Sequence, residues 1–437
     1  MKSLFFGGIH PADRKELSAS AELKPVNSPK QVTIPMSQHI GNHCTPLVAV
    51  GEQVKKGQKI GDGEGLCVPV HASVSGTVTA IEPRRHPNGR EVLSVVIAND
   101  FQEEMADLMT PYPDYSSLSD ETIIEIIREA GIVGMGGATF ATNIKAASSM
   151  EKVDTLIANA CECEPYITSD DMLLRAYPQQ VLEGMRIICQ ILQPKRVVLA
   201  VEANKKSAIE VLKKELAGEE KIELVILPTR YPQGAEKQLI QSVTGREIAP
   251  GQLPASVGAA VFNVATFAYT YRAVCLGIPV MERIVTVSGE AVKRPGNFIT
   301  KIGTGFEELI EAASGLKEDP WKVIAGGPMM GTAQEDLSAS TIKGTSSILC
   351  LTHAQNGESK EETVCIRCGA CVNVCPMNLQ PLYLYAYEKK QDLEGLHRLN
   401  LMDCIECGCC AYSCPGKLPL VERFRNGKRL VKEGMKS

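Results

Sequence analysis

An excess of basic charge is missing: 46 Lys+Arg stand against 51 Asp+Glu, a net charge of −5 at pH 7. A nucleic-acid binder normally presents a basic face, so that class is set aside. A long hydrophobic run is missing too. The longest uncharged stretch, 248–271, is interrupted by Pro250, Pro254, Gly251, Gly258, Gln252 and Asn263, and its apolar residues are mostly Ala and Val. It predicts a buried loop followed by a core helix, not a membrane span. The first eight residues carry one charge and a three-residue apolar patch, short of a signal-peptide core.

What remains is ordinary in bulk: 437 residues, 44% hydrophobic and 22% charged, which predicts three or four domains, each with its own core. Disorder, collagen and coiled coil do not describe such a chain. The 16 cysteines are the anomaly, and nine of them fall between Cys365 and Cys414. Clustering of this kind indicates metal ligation, whereas a disulfide scaffold spreads its cysteines along the chain.

The chain divides by pattern. Residues 1–100 read as all-β, with short β-branched runs at 32–34, 74–81 and 92–97 between Gly, Pro and Asn turns. The stretch 48–60 (VAVGEQVKKGQKI) and the turn His71-Ala-Ser-Val-Ser-Gly-Thr-Val78 resemble the barrel-sandwich fold of lipoyl and biotinyl carriers. Carriers need a lysine at the hairpin tip, and 65–71 has none, so the fold is expected without carrier function. Residues 101–119 read as a linker. A helix follows with Asp120 as N-cap, Ile123, Ile124 and Ile127 as its apolar stripe, and Gly131 as a left-handed C-cap. Strands at 153–158, 196–201 and 222–227 then alternate with helices at 180–192 and 205–216, which implies βαβ units and a parallel sheet. Residues 283–350 return to short strands (284–288, 323–325) around a helix at 306–312, as in a small β-grasp module.

The last 75 or so residues hold a duplication: CIRCGACVNVCP from Cys365 recurs as CIECGCCAYSCP from Cys404, offset by 39. Each copy has the C-x2-C-x2-C-x3-C-P spacing of two-cluster ferredoxins, in which three thiolates wrap one cubane and the fourth reaches the other. On that rule Cys365, Cys368, Cys371 and Cys414 hold one [4Fe–4S] cluster, and Cys404, Cys407, Cys410 and Cys375 the other. Paired zinc knuckles are the alternative, but they would leave the third cysteine and the proline unexplained. Cys409 is an extra thiol, read as a small filler. Cys44, Cys67, Cys161, Cys163, Cys189, Cys275 and Cys350 read as buried apolar residues.

Two further elements suggest a ligand. The loop 131–142 (GIVGMGGATFAT) carries Gly131, Gly134, Gly136 and Gly137, with Ala138 and Phe140 beside them and Lys145 beyond. It follows a helix, so it is not the dinucleotide fingerprint, although its glycines would let backbone N–H groups approach a phosphate. A glycine-rich turn packed on a sheet is the competing explanation. The second element, 156–165 (LIANACECEP), gathers Asn159, Glu162 and Glu164 at the carboxyl end of a strand, where open α/β sheets place ligands.

Together with Tyr231-Pro-Gln-Gly-Ala-Glu236-Lys237 and Asn263-Val-Ala-Thr266, these elements resemble, in order, the FMN and NADH site of the FMN-binding subunit of respiratory complex I. Phe6-Gly-Gly-Ile-His-Pro11, Ser37-Gln-His-Ile40, Gly326-Gly-Pro-Met-Met-Gly331 and both cysteine repeats make the RnfC family the closer match, over essentially the whole chain. The resemblance implies a multidomain α/β plus β protein. Its parts are an N-terminal barrel-sandwich (lipoyl-like) domain (1–100), a Rossmann-like α/β FMN/NADH domain (120–282), a β-grasp (SLBB-like) module (283–350) and a C-terminal ferredoxin-like helical domain (360–437). It also implies noncovalent FMN on Gly134, Gly136, Gly137, Ala138, Lys145, Asn159, Glu162, Asn263 and Thr266. NAD(H) would lie near Phe140, with Glu164 and Glu236 on its polar groups. The implied activity is NAD-dependent electron transfer as a peripheral subunit on the cytoplasmic face of a membrane, with other Rnf subunits, integral membrane ones among them, and ferredoxin as partners. Ala141, Ala235 and the run Ala146-Ala147-Ser148 depart from the family pattern and bear on dinucleotide affinity more than on flavin. The rival expectations are a soluble RnfC-like protein serving another acceptor, such as a cobalamin enzyme, and a flavin-free adaptor.

Overall fold

The computed structural model describes residues 5–356 and 363–434; the margins of the expected cluster domain, 360–362 and 435–437, and the first four residues lie outside the described residues. The expected parallel sheet is built from Thr155–Ala160, Arg196–Glu202, Ile222–Leu227 and Ala259–Asn263, with every pairing parallel. Thr155–Ala160 lies between Arg196–Glu202 on one side and Ala259–Asn263 on the other, so the chain reverses its direction of winding there. Such a switch point opens a crevice at the carboxyl ends of the strands.

Two local expectations are corrected. Helix Asp120–Glu129 is capped by Ser119, whose Oγ accepts from the Thr122 amide at 3.3 Å, while Asp120 and Glu121 occupy the first turn, where the helix dipole favours anions. In the stretch 248–271 the expected core helix is present as Val264–Leu276, but 249–253 is exposed where a buried loop was expected, and a strand, Ala259–Asn263, precedes the helix. Residues 259–262 are buried with no polar alternation, so period-two patterning had nothing to register.

Helix Pro178–Leu192 packs against Val264–Leu276 at unusually close range. A Cβ on Gly184 would lie 1.8 Å from the Phe267 carbonyl oxygen, so no side chain fits between the two backbones. Both helices cover the sheet in the main core with Met185, Ile188, Phe267 and Val274.

The barrel-sandwich domain pairs Gln31–Pro35, Glu91–Asn99, Gly76–Arg85 and Gln53–Val54 in one sheet, and Thr45–Pro46, Lys59–Asp62 and Val70–His71 in the other. Val32, Ile34, Ile60, Val78, Val95 and Ile97 fill the space between. Within the expected domain 1–100, Lys24–Pro25 joins the six-stranded sheet of the third module beside Gly296–Lys301, and Ile9 bridges to Tyr231 of the α/β domain. The 101–119 linker is tied down: the Lys56 amide donates to Glu104, and the Tyr112 amide to Val274.

The third module centres on Glu282–Ser288 and Ser347–Leu351, with helix Phe306–Ala312 across them. The cysteine repeats form short helices, Ala370–Asn373 and Cys409–Tyr412, over a core of Leu384, Leu396, Leu401 and Phe424. The duplication extends to the backbone, since Arg367 and Glu406, and Asn378 and Lys417, share positive φ values of 55°/56° and 52°/52° at the same 39-residue offset. Among the described residues no helix is long and apolar enough to cross a membrane.

Gly184→Ala is expected to lower stability by at least about 2 kcal/mol by forcing the two helices apart. Thermal melting of the purified chain measures it; an unchanged midpoint would show that the helices can separate freely.

Candidate redox site

The switch point places Asn159 and Asn263 directly across from one another on adjacent strands. Asn159 Nδ2 donates to Gly234 O at 2.9 Å, and its Oδ1 accepts from the Cys161 amide at 3.0 Å. Asn263 caps the following helix through the Ala265 amide at 2.8 Å, and its Nδ2 donates to Asp170 Oδ2 at 2.7 Å. The glycine loop folds over this edge. The Gly134 amide donates to Phe140 O at 2.8 Å, closing the loop, and the Met135 amide donates to Thr266 Oγ1 at 3.0 Å. Gly136 lies so near Asn263 that a Cβ would sit 3.2 Å from the asparagine Cβ. Gly136, Gly137 and Ala138 remain exposed above the strand ends, and Phe140 is half-buried. Lys145 sits at the rim, 2.6 Å from Glu236 and over the Phe262 ring at 5.2 Å.

Beneath the loop the expected Glu162 sits among charges that sequence reasoning missed, Lys15, Asp170, Lys205 and Arg283. Glu162 Oε1 accepts from Ser169 Oγ at 3.1 Å and the Asp170 amide at 2.9 Å; its Oε2 is buried with no hydrogen-bond partner and lies 4.0 Å from Lys15 Nζ. Lys15 also donates to the Glu164 and Ile167 carbonyls at 2.8 and 2.5 Å. Lys205 donates to Glu162 O at 3.2 Å, and Arg283, arriving from the third module, donates to Met135 O at 3.2 Å, with its Nη1 left without a partner. Burial holds Lys15 down to about 8, and burial followed by the neighbouring Glu162 charge pushes the Asp170 carboxyl well above its usual range. Asp170 and Lys205 follow the two strands at their carboxyl ends, which is a signal; Lys15 and Arg283 come from other domains, and no local pattern marks them.

The Glu164 carboxylate, expected on a dinucleotide, accepts from the Met329 and Met330 amides at 3.1 and 2.9 Å, joining the α/β domain to the third module. A Cβ on Gly327 would come within 2.2 Å of Glu164 Oε2, so the glycine is what lets the loop settle over the carboxylate. Burial raises the Glu164 carboxyl to about 7.

The cysteines of the two repeats fall into two groups. One cavity is lined by Cys365, Cys368, Cys371 and Cys414, the other by Cys375, Cys404, Cys407 and Cys410. Four thiols line the first cavity and five the second, where Cys409 is the extra one; the four of each expected set suit a cubane with one sulfur per iron, and three of each four come from one loop. The second cavity abuts the sheet: Tyr231 Oη donates to Cys407 O at 2.7 Å, and Ile9, Cys163 and Met329 pack around Cys407 and Cys409. Gln238 Nε2 donates to Pro376 O at 3.0 Å. The first cavity faces solvent, with Cys368 exposed and Val364 and Ile366 at 85% and 70% exposure. The flavin reading is also consistent with the geometry, for the carboxyl-end crevice holds exposed glycines, a lysine at the rim and an unpartnered buried carboxylate oxygen.

These features define an oxidoreductase component that joins an FMN-binding α/β domain to paired iron–sulfur sites. Family models match in the same order: an RnfC barrel-sandwich hybrid domain at 3–102, a Nuo51 FMN-binding domain at 127–272, an SLBB domain at 284–333 and a 4Fe-4S dicluster domain at 364–417. The chain belongs to the RnfC family of ion-translocating ferredoxin:NAD oxidoreductase complexes. It is 43% identical to the RnfC-type member of the Na(+)-translocating ferredoxin:NAD(+) oxidoreductase complex of Acetobacterium woodii, over 98% of this chain and 97% of that one. It is also 43% identical to the counterpart in the proton-translocating complex of Clostridium ljungdahlii, over 92% and 88%. The NAD+-reducing [NiFe]-hydrogenase in its H2-reduced state shares the fold, with a TM-score of 0.51 at 20% identity over 74% of this chain and 65% of that one.

Glu164 gives the native protein a proton that the unfolded chain releases between about pH 4.5 and 7. Its contribution is therefore present below that window and falls as pH rises through it, by up to about 3 kcal/mol. Glu164→Gln is expected to lose less stability between pH 5 and 7.5 than the native sequence; melting curves across that range check it, and identical pH slopes would contradict it.

Proposed function

We propose that the chain carries electrons between NAD(H) and the two [4Fe–4S] clusters through an FMN held at the carboxyl end of the parallel sheet. The observation carrying this reading is the seam at Tyr231 and Cys407, where one cluster loop rests directly on the sheet edge bearing the flavin residues. When bound, FMN supplies the exchange between a hydride pair and single electrons. The chain does the rest. Gly134, Gly136, Gly137 and Ala138 allow backbone N–H groups to approach a phosphate, and Lys145 supplies countercharge. Asn159, Asn263 and Thr266 fix the crevice floor through their own hydrogen bonds to Gly234, Asp170 and Met135. Glu162 keeps a buried oxygen that lacks a hydrogen-bond partner, 4.0 Å from Lys15 Nζ. Glu236, partly exposed beside Lys145, and half-buried Phe140 are the residues left for the dinucleotide.

The second cluster, on Cys375, Cys404, Cys407 and Cys410, is the flavin-side carrier. The first, on Cys365, Cys368, Cys371 and Cys414, is the solvent-side one, where the exposed Val364 and Ile366 can meet a partner. That partner is another member of the complex relaying electrons from ferredoxin, and integral membrane subunits hold the chain at the cytoplasmic face.

Reconstituted full-length protein is expected to bind one FMN per chain and to reduce a dye with NADH; the adaptor reading stands if iron is present and flavin is absent. Lys145→Ala is expected to weaken flavin retention at least tenfold while shifting stability by under about 1 kcal/mol, because its pair with Glu236 is partly exposed. Flavin released on dilution and the melting midpoint are the readouts; unchanged retention would remove Lys145 from the site.

A further inference from the structure

Outside this site, the barrel-sandwich domain holds a second set of soft ligands. His39, Cys44 and Cys67 are all buried, and one ligand atom from each lies within 4.8 Å of the others. We propose that these three residues bind one zinc ion, which staples the carrier-type hairpin beneath the glycine loop.

The sulfur geometry decides between the uses open to two buried thiols. Cys44 Sγ and Cys67 Sγ lie 3.4 Å apart. Tetrahedral zinc with bonds of about 2.3 Å sets its sulfurs about 3.8 Å apart, a change of a few tenths of an ångström. A disulfide of about 2.05 Å would need the sulfurs to close by roughly 1.3 Å. His39 is oriented as a metal-ligating imidazole needs to be: its Nδ1 meets Ile40 O at 3.2 Å, which turns Nε2 toward the interior. Nε2 accepts from the Val68 amide and Cys44 Sγ donates to Val68 O, both at 3.2 Å. Zinc on Nε2 and on the Cys44 thiolate would displace both contacts, and the metal bonds would have to offset the loss of the acceptor for the buried Val68 amide.

Charge supports the assignment. Two thiolates and a neutral imidazole carry the −2 that Zn²⁺ cancels. Lys343 is buried nearby, with its Nζ on Pro69 O at 2.6 Å and Gly131 O at 2.7 Å, and it acts on both thiols. Asp62 is already engaged by Gly63, Lys59 and Arg128, so it is not the fourth ligand. That position is open to water.

The location gives the ion a purpose. The Ile40 amide donates to Thr139 O at 3.2 Å, and Val68 packs with Val133 and Ala141 on the flanks of the glycine loop. Zinc here would lock the hairpin that supports the loop from below.

The test is metal analysis of the full-length protein with clusters and flavin in place, after passage over a chelating resin and titration with zinc alone. The expected result is one tightly held zinc per chain, lost in C44S/C67S while iron and flavin content stay unchanged. Zinc-edge X-ray absorption of the native sequence should show two sulfurs with nitrogen or oxygen ligands, and it decides the matter even where the double variant fails to fold. No zinc uptake beside full iron loading, a four-sulfur zinc shell, or a Cys44–Cys67 disulfide seen as a 2 Da mass loss would each overturn the proposal.

Discussion

One edge of one sheet has to serve two neighbours. The carboxyl end of the four parallel strands carries the crevice in which a flavin is proposed, and the same end supports the loop of the second cysteine repeat through the Tyr231 hydroxyl and the Cys407 carbonyl. Electron transfer falls off steeply with separation, so a fold that converts hydride into single electrons must hold organic carrier and cluster against a common rigid element. The other contacts of the seam follow from that demand. Ile9 bridges to Tyr231, the Gly8 amide donates to Val374, and Gln238 reaches Pro376, so the N-terminal strap and helix Glu236–Thr244 both brace the cluster loop.

Around this edge the molecule buries more charge than a core ordinarily tolerates. Lys15, Asp170, Glu202, Lys205 and Arg283 are all buried, and they come from the N-terminal strap, the α/β domain and the third module. Isolated, each would be expensive to desolvate; together, and with backbone partners, they neutralise one another. Glu162 Oε2, 4.0 Å from Lys15 Nζ, and Arg283 Nη1 are buried without a hydrogen-bond partner. The arrangement makes the domains interdependent, because the floor of the crevice is completed only when strap and third module are in place.

Legibility in the sequence tracked how local the determining physics was. Strand Ile222–Leu227 and helix Phe306–Ala312 were predicted at their observed bounds because their apolar runs and the Gly or Pro residues flanking them are local. The grouping of the eight repeat cysteines around two cavities was readable because ligand spacing is set by loop geometry over a dozen residues. Ala259–Asn263 was not, since a strand buried on both faces shows no alternation. Glu164 carried the right chemistry for a ligand, yet it is taken by amides 165 and 166 residues away. Lys15 meets its carbonyl partners across 149 and 152 residues. Contacts of that range depend on how domains dock, and no window of sequence contains them. The family resemblance supplied the domain order and the candidate flavin residues, while the seam at Tyr231 and the charges beneath the loop came from the three-dimensional arrangement.

The sharpest test is rapid freeze-quench EPR after mixing NADH with two single variants of the reconstituted protein. With Cys368→Ala, which removes a ligand of the solvent-side cluster, the remaining cluster should still be reduced within milliseconds. With Cys407→Ala, which removes a ligand of the flavin-side cluster, the remaining cluster should stay oxidised on that timescale. Equal reduction rates in the two variants would contradict the order of carriers, and with it the claim that the Tyr231 seam is where flavin and cluster meet.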